Sequence, residues 1–269
     1  MLIQAGYTIA FECPKPTPML LQLNIDPARI ADLRSPDVIS SDPPLPMSAY
    51  FDQYGNRVTR LEAPAGLVTL HNRFLIEDSS KPDETPPNTP VTPITRLPDE
   101  VLLYLVSSRY CDSDNLADFA WANFGALTGG YARVRAICDF VHSRIRFSYA
   151  DARPTRAASD SMREPSGVCR DYAHLAIALC RCMNIPARYC TGYLGDIGVP
   201  IDPNPMDFSA WFEVFLDGRW YTMDARHNHP RIGRIVMCRG RDAADVAIST
   251  AFGAATLVRF EVLTVEQQP

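Results

Sequence analysis

The sequence predicts an α+β protein in two domains, and three observations support this. Short apolar or alternating runs, which are typical of β-strands, fill residues 1–76. Six prolines follow within residues 77–98 and favour an extended linker. Beyond residue 98 the pattern becomes helical and then returns to strands. We therefore expect a β-rich N-terminal domain (1–76), a linker (77–98) and an α+β domain (99–269).

The N-terminal domain contains five predicted strands. They are YTIAF, LLQLNI, MSAYF, RVTRLEA and GLVTLHNRFLI. The segment DQYGN, between the third and the fourth, predicts a hairpin turn, because glycine and asparagine accept the backbone angles that tight turns need. No residue here indicates chemistry, and we expect His71 to have only a structural role in its strand.

The C-terminal domain begins with predicted helices. They are PDEVLLYLVSSRY, DNLADFAWANFGAL, YARVRAICDFVHSRI and a fourth that runs from Gly167 to about Met183. In the third, Val134, Ile137, Cys138 and Val141 have the spacing of a packed helix face. The predicted strands are ARYCTGYL, the hairpin 208–224, RIGRIVMCRG and TLVRFEVLTVE.

Composition and charge exclude several classes of function. The net charge of −5 gives no reason to expect nucleic acid or acidic membranes as partners. No apolar run reaches the roughly 18 residues of a membrane span, and the N-terminus has no basic signal-type region. The eight cysteines form no CxxC pair. We therefore expect a cytoplasmic protein without disulfides, metal or nucleotide cofactor.

Cys169 follows a glycine at the start of a predicted helix, in SGVCRDYAHLAIALC. Helical spacing places it at the top of an apolar stripe made of Cys169, Ala173, Ala176, Cys180 and Met183. Cys169 could be a small residue that caps the core. It could equally be a reactive thiol, since free N–H groups and the helix dipole favour a thiolate there. The helix alone leaves both interpretations open.

The stretch DFSAWFEVFLDGRWYTMDAR alternates between two faces and predicts a hairpin. Its Asp-Gly pair at 217–218 suits a two-residue turn. That turn places Trp211 opposite Asp224 and Ser209 opposite Arg226. Asp224 then lies diagonal to Ser209 on one face, within reach of long side chains.

These two stretches, with the intervening Ile-Pro-Ala-Arg, resemble the bacterial transglutaminase-like family over about residues 100–240. The resemblance implies a papain-like core of helices packed on an antiparallel sheet, and the β-rich segment is similar to the N-terminal domain that often accompanies it. It also implies that Cys169 is the nucleophile and Asp224 the acid that orients a histidine. The family's histidine stands directly before the Ala-Trp of the hairpin, where this chain has Ser209.

The missing histidine raises the question of the base. A neutral serine cannot take a proton from a thiol near neutral pH. His227 is the nearest imidazole in sequence to Asp224, so we predict that His227 supplies the base and that Ser209 positions it or a water molecule. Strict alternation would direct His227 away from Asp224, but Pro230 indicates that the strand ends there. A solvated loop position for His227 stays open.

Three further residues are expected to contact substrate. Gly167 would let a substrate carbonyl approach the backbone, and Trp211 lies on the face of Ser209. Arg226 could stabilise a thiolate or an oxyanion, although it stays charged and cannot act as a base.

The sequence therefore predicts acyl chemistry on a peptide, protein or small amide through a Cys169 thioester, by hydrolysis or by transfer to an amine. The alternative is a non-catalytic module that binds peptides, because Ser209 replaces the histidine.

Overall fold

The computed structural model describes residues 1–267, which form an α+β structure. The strands are β1 (Leu2–Cys13), β2 (Thr17–Leu21), β3 (Ser40–Asp42), β4 (Ser48–Phe51), β5 (Arg57–Ala63), β6 (Gly66–Glu77), β7 (Arg146–Phe147), β8 (Ser166–Gly167), β9 (Ala187–Tyr193), β10 (Ser209–Leu216), β11 (Arg219–Met223), β12 (Ile235–Gly240), β13 (Ser249–Ala251) and β14 (Thr256–Glu266). The α-helices are α1 (Asp99–Leu102), α2 (Ala117–Phe124), α3 (Gly130–Arg144), α4 (Ala158–Arg163) and α5 (Cys169–Cys182). Among these described helices, none is long and apolar enough to span a membrane.

Two antiparallel sheets, which we call the N-terminal β unit, contain the five predicted strands. Their strand orders are β14-β1-β6-β3 and β13-β2-β5-β4. Along β6 buried and more exposed residues alternate, as a strand with one face on the core requires. The predicted hairpin turn is present: the amide of Gly55 donates to the carbonyl of Asp52 (3.1 Å), and Gly55 has a φ of +83°.

The last two strands belong to the N-terminal β unit and not to the C-terminal sheet. Strand β14 pairs with β1 from Ile3↔Glu266 to Glu12↔Thr256, and β13 pairs with β2. The expected domain 99–269 therefore does not match the division of the sheets. The alternation of a strand shows which face is buried but not which partner it takes, so the sequence left this pairing undetermined.

The C-terminal domain is built on a third antiparallel sheet, of order β11-β10-β9-β12. Helix α5 packs on β10 and β9, and α3 packs on α5. The stripe predicted on α3 is fully buried, and Leu216 pairs with Arg219 across the Asp-Gly turn, as the two-residue loop predicts. The helices and the antiparallel sheet thus form the core that the sequence led us to expect.

The first predicted helix of this domain is shorter than expected, because α1 ends at Leu102. Backbone carbonyls that would continue it bind elsewhere. The carbonyl of Tyr104 accepts from the amide of Ala187 (3.1 Å), and the carbonyl of Val106 accepts from the guanidinium of Arg181 (3.1 Å). Tertiary partners therefore replace the intrahelical ones.

The proline-rich linker has no regular structure between Glu77 and residue 93, but it is held along the C-terminal domain. The carboxylate of Asp83 accepts from the amide of Arg231 (3.0 Å) and pairs with Arg234 (3.0 Å). The carbonyl of Thr89 accepts from the amide of Gly130 (2.9 Å). The linker is thus an extended strap with fixed attachment points.

Buried charges connect the third sheet to the N-terminal β unit. Glu213 on β10 is buried between Arg188 (2.5 Å) and Arg239 (3.0 Å), and Arg239 also pairs with Asp26. Burial alone would raise the pKa of Glu213, but Arg239 and Arg188 outweigh burial and lower that pKa. The charged form of Glu213 is therefore the one that the folded state favours.

Replacing Glu213 by alanine should lower the free energy of unfolding at pH 7 by about 3 kcal/mol, because the partly buried guanidinium of Arg188 loses its carboxylate partner and that of Arg239 keeps only Asp26. Because the folded pKa is depressed, this contribution is present above the ordinary glutamate value of 4.5 and is lost as pH falls through the lower folded value. Urea unfolding at pH 7 and in acid measures both effects.

Glu261→Ala is the matched control. Glu261 pairs with Arg259 at 2.8 Å on the surface, with both side chains more than half exposed, so this substitution should change the free energy of unfolding far less than Glu213→Ala does. If both variants lowered the free energy of unfolding by the same amount, a special role for the cluster around Glu213 would be contradicted.

Candidate active site

Cys169 is the first residue of α5 and borders a cavity of about 800 Å³. Its side chain is half-buried, and the backbone amides of Ala210 and Arg170 act to lower the pKa of its thiol. Free N–H groups at a helix N-terminus favour negative charge. The thiol therefore lies at a helix N-terminus and faces a space that a ligand can enter.

A buried carboxylate fixes the backbone around Cys169. Asp171, on the first turn of α5, accepts from the amide of Val168 (2.9 Å) and from Arg156 (2.9 Å). A Cβ at Gly167 would lie 2.7 Å from an Oδ atom of Asp171. Gly167 is also not one of the residues that line the cavity. The expectation that Gly167 admits a substrate carbonyl is therefore wrong: its missing side chain makes room for Asp171.

The start of β10 lies against the start of α5 and brings Ser209 to the cavity. Ser209 is buried, lines the cavity with Cys169, and its carbonyl accepts from the hydroxyl of Thr191 (3.4 Å). The backbone amide of the next residue, Ala210, acts to lower the pKa of the Cys169 thiol. The sequence position of the family's histidine therefore lies beside the thiol, and a hydroxymethyl group occupies it.

Three effects act on the protonation of Cys169. Burial raises the pKa of this thiol to about 11, the positive charge of Arg226 opposes the shift, and the carboxylate of Asp207 adds to it. The guanidinium of Arg226 lies 3.8 Å from the centre of the Phe147 ring. The positive charge of Arg226 thus favours the thiolate of Cys169, as the predicted role of Arg226 requires. With a pKa of about 11, the thiol at rest is protonated at neutral pH.

Asp224 and His227 form the pair that the sequence predicted. One carboxylate oxygen of Asp224 accepts from His227 Nδ1 (2.8 Å) and from Arg234 (2.9 Å), and the other accepts from the amide of Arg226 (2.9 Å). Burial alone would raise the pKa of Asp224, but Arg234 and His227 outweigh it and hold that pKa well below its ordinary range. Asp224 is thus a permanent anion that orients an imidazole.

This pair does not extend to the thiol. The residues that line the cavity of Cys169 include Ser209 and Asp207 but neither His227 nor Asp224. Asp224 instead borders a smaller recess, formed with Arg135 of α3. The chain reverses just after β11, so the predicted ladder pairs of Ser209 with Arg226 and of Trp211 with Asp224 do not form. The base role of His227 stays a prediction that this geometry does not support.

Trp211 is a core residue. It is 1% exposed, lies beneath the guanidinium of Arg234 (5.0 Å from the ring centre) and does not line the cavity. Gly192 packs against its ring, where a Cβ would come within 3.0 Å. The expected contact of Trp211 with substrate is therefore wrong, because both faces of its strand are buried.

Two acids that follow β12 have structural roles. Asp242 is buried and accepts from the amide of Tyr110 (2.7 Å), and Asp245 binds Arg241 (2.9 Å) and the hydroxyl of Tyr54 (2.7 Å). Both connect the segment after β12 to neighbouring parts of the fold. In the described part of the chain, no three His, Cys, Asp or Glu side chains are grouped as a metal site would need.

Sequence reasoning missed Asp207 and Arg234 as residues of the site. Asp207 lies two positions before Ser209, so the alternation of β10 already placed both on one face. Burial raises the pKa of Asp207, which is unusual for a surface acid and marks it as part of the cavity. Arg234 had no such signal, because its contact with Asp224 depends on the path of a ten-residue loop.

Alkylation of Cys169 tests the electrostatics at the sulfur. Because its pKa is about 11, the rate of reaction with iodoacetamide should still rise between pH 8 and pH 10. Asp207→Asn should speed labelling at pH 8 by removing a negative charge, and Arg226→Gln should slow it. Peptide mapping by mass spectrometry gives the rate at each cysteine.

Cys182 is the internal control. It is the other half-buried thiol, and its pKa is also raised to about 11 by burial, but neither Asp207 nor Arg226 contributes to that shift. The two substitutions should leave its labelling rate unchanged. A rate plateau at Cys169 below pH 8 would contradict the protonated resting thiol.

Comparison with known proteins assigns the fold. Residues 122–225, which include Cys169 and Asp224, match the model of the transglutaminase-like superfamily. The structure of a candidate cysteine protease from Cytophaga hutchinsonii is 28% identical, covers 100% of this chain and 91% of its own, and superposes with a TM-score of 0.87. The shared fold includes the N-terminal β unit, since the match spans the whole chain.

Two weaker similarities accompany these. An uncharacterised protein from Mycobacterium leprae is 31% identical over 94 residues, which are 33% of this chain and 32% of that protein. The periplasmic domain of TgpA from Pseudomonas aeruginosa is 15% identical, covers 83% of this chain and 90% of its own, and has a TM-score of 0.41. At the level of the family, the fold supports thiol-dependent acyl chemistry. Residues 122–225 of this chain thus form a transglutaminase-like domain.

Proposed function

We propose that this protein performs acyl chemistry at an amide or peptide carbonyl through a thioester on Cys169. The observation that carries the proposal is the position of this thiol. Cys169 combines a helix N-terminus with an open cavity of about 800 Å³, and the backbone amides of Ala210 and Arg170 act to lower its pKa. Acyl transfer needs a nucleophile with space for a carbonyl carbon and with donors close to the developing negative charge.

In this reaction the sulfur attacks the carbonyl carbon, the C–N bond breaks and the amine leaves with a proton. Water or a second amine then attacks the thioester and releases the thiol, which gives hydrolysis or transfer. The first step needs a base, because the raised pKa leaves little thiolate at neutral pH. Arg226 supports the step electrostatically, since its positive charge favours the thiolate.

Two groups are candidates for the proton transfer. His227 has the suitable chemistry and is oriented by Asp224, but it lies outside the residues that line the cavity. Asp207 lines the cavity with Cys169, and its raised pKa brings a carboxyl closer to the range useful for acid–base work. The position of Asp207 therefore favours it over His227.

The second candidate function is a non-catalytic module that binds peptides in the same cavity. Ser209 favours it, because a hydroxyl cannot replace an imidazole as a base near neutral pH. The protonated resting thiol favours it as well. Both functions use a peptide, protein or small amide as the partner. The eight free cysteines support a reducing compartment such as the cytoplasm.

Substitutions separate these functions, with p-nitrophenyl acetate as an activated acyl donor. If Cys169 is the nucleophile, wild-type protein should form an acetyl thioester at this residue, and Cys169→Ala should not. Ser209→His should raise the acylation rate by about 10²-fold or more, because it returns an imidazole to the position beside the thiol. Release of p-nitrophenol and mass spectrometry of the acylated peptide measure both.

The same assay identifies the base. Loss of about 10²-fold in Asp207→Asn with little change in His227→Ala would assign the proton transfer to Asp207, and the reverse would assign it to His227. His229→Ala is the matched control, because His229 contacts the backbone of His227 and not Asp224. Absence of acylation at Cys169 in wild-type protein, together with retained peptide binding, would leave only the binding module.

A further inference from the structure

The cavity beside Cys169 has walls from both halves of the chain. The C-terminal domain contributes the start of α5 and the start of β10. The N-terminal β unit contributes Ile9 and Phe11 of β1 and Leu257 and Phe260 of β14, and the segment 243–250 completes the wall. Its volume of about 800 Å³ lies within the roughly 300–1,000 Å³ of ligand sites. The N-terminal β unit therefore shapes the space in front of the thiol.

A free strand edge lies in this wall. Strand β13 is the last strand of its sheet and pairs with β2 on one side. The carbonyl of Ile248 accepts a hydrogen bond from the amide of Gln22 (3.1 Å), so the backbone of residue 248 is hydrogen-bonded towards the β2 side. Bonded positions alternate in an antiparallel pair, so the N–H and C=O groups of Ser249 and Ala251 point away from β2. Of these two residues, Ser249 lines the cavity and Ala251 does not.

The side chains around the cavity favour a particular kind of ligand. Phe11, Val246 and Phe260 provide an apolar surface, and Leu257 is half exposed at its side. Arg109 also lines the cavity, is exposed, and forms no salt bridge within residues 1–267. An apolar side chain and a carboxylate on one ligand would match these two features.

We propose that the substrate is an extended peptide that adds as a strand to the free edge of β13. One of its apolar side chains packs against Phe11 and Phe260, a carboxylate lies towards Arg109, and a backbone carbonyl comes to Cys169. Strand addition supplies affinity through main-chain hydrogen bonds, and side-chain pockets supply specificity. The inference deepens the proposed function and rests on it, since the carbonyl that reacts is that of the bound peptide.

The test measures peptide binding to full-length protein carrying Cys169→Ala, which prevents turnover. The probes are fluorescein-labelled hexapeptides with a central leucine or phenylalanine and with glutamate, glutamine or lysine as a neighbour, each as a C-terminal amide and as a free acid. Ser249→Pro should raise the dissociation constant by about three- to tenfold, which is the effect of losing one hydrogen bond. Proline removes only an N–H that β2 does not use.

Two matched controls accompany this variant. Ala251→Pro removes an N–H of the same orientation outside the cavity, and Ser249→Ala keeps the N–H, so both should bind as the parent protein does. N-methylation of single peptide bonds in the hexapeptides should weaken their binding to protein that carries only Cys169→Ala. This measurement tests strand addition even if Ser249→Pro does not fold. Arg109→Gln should remove the preference for glutamate-containing peptides over glutamine-containing ones. If Arg109 binds the terminal carboxylate, the same variant should remove the preference for the free acid over the C-terminal amide.

Several results would overturn the inference. They are no binding by any probe, a preference for lysine, equal weakening by Ala251→Pro and Ser249→Pro, and indifference to every N-methylation. Acylation by p-nitrophenyl acetate separates this failure from failure of the proposed function. If Cys169 is acylated equally in wild-type and Ser249→Pro protein, while the peptides bind the parent protein and the Ser249→Pro variant equally well, the strand-addition model alone is wrong. If Cys169 is never acylated, the proposed acyl chemistry fails whatever the peptides do.

Discussion

The return of the last strand to the first is the constraint on which the rest of the structure depends. Strand β1 lies between β6 and β14, so its sheet is complete only when residues from both ends of the chain have paired. This pairing brings Phe260 next to Phe208, with ring centres 5.7 Å apart, and thereby closes the N-terminal β unit over the start of β10. The cavity in front of Cys169 exists because of this closure.

Buried carboxylates do most of the local positioning in the C-terminal domain. Asp171 fixes the turn before Cys169, Asp224 fixes the turn that carries His227, and Glu213 connects three strands. Each one is matched by at least one arginine, as a charge removed from water requires. Arginine supplies 24 of the 26 basic residues of the chain, and part of this arginine content serves to balance buried carboxylates.

The site combines the geometry of a thiol enzyme with an altered proton path. The sulfur lies at a helix N-terminus and beside an open cavity, yet its pKa is raised, and the residue beside it is a serine. Asp224 still holds an imidazole, but one that comes from its own loop and lies outside the cavity. Asp207 is the acid that shares the cavity with the thiol. In this fold, the groups around Cys169 that can receive a carbonyl are therefore separate from the Asp224–imidazole pair, and Asp207 is the acid placed to move protons.

The sequence by itself determined most of the strands and helices and the position of Cys169 at a helix start, because local periodicity and turn chemistry control these features. It favoured His227 as the partner of Asp224 through their short separation and left a solvated loop position for His227 open. It also showed that Ser209 occupies the place of a histidine. Only the tertiary structure decided that β14 joins β1, that Trp211 and Gly167 serve packing, and that His227 lies outside the cavity of Cys169. These outcomes depend on contacts between residues far apart in the chain, which periodicity does not encode.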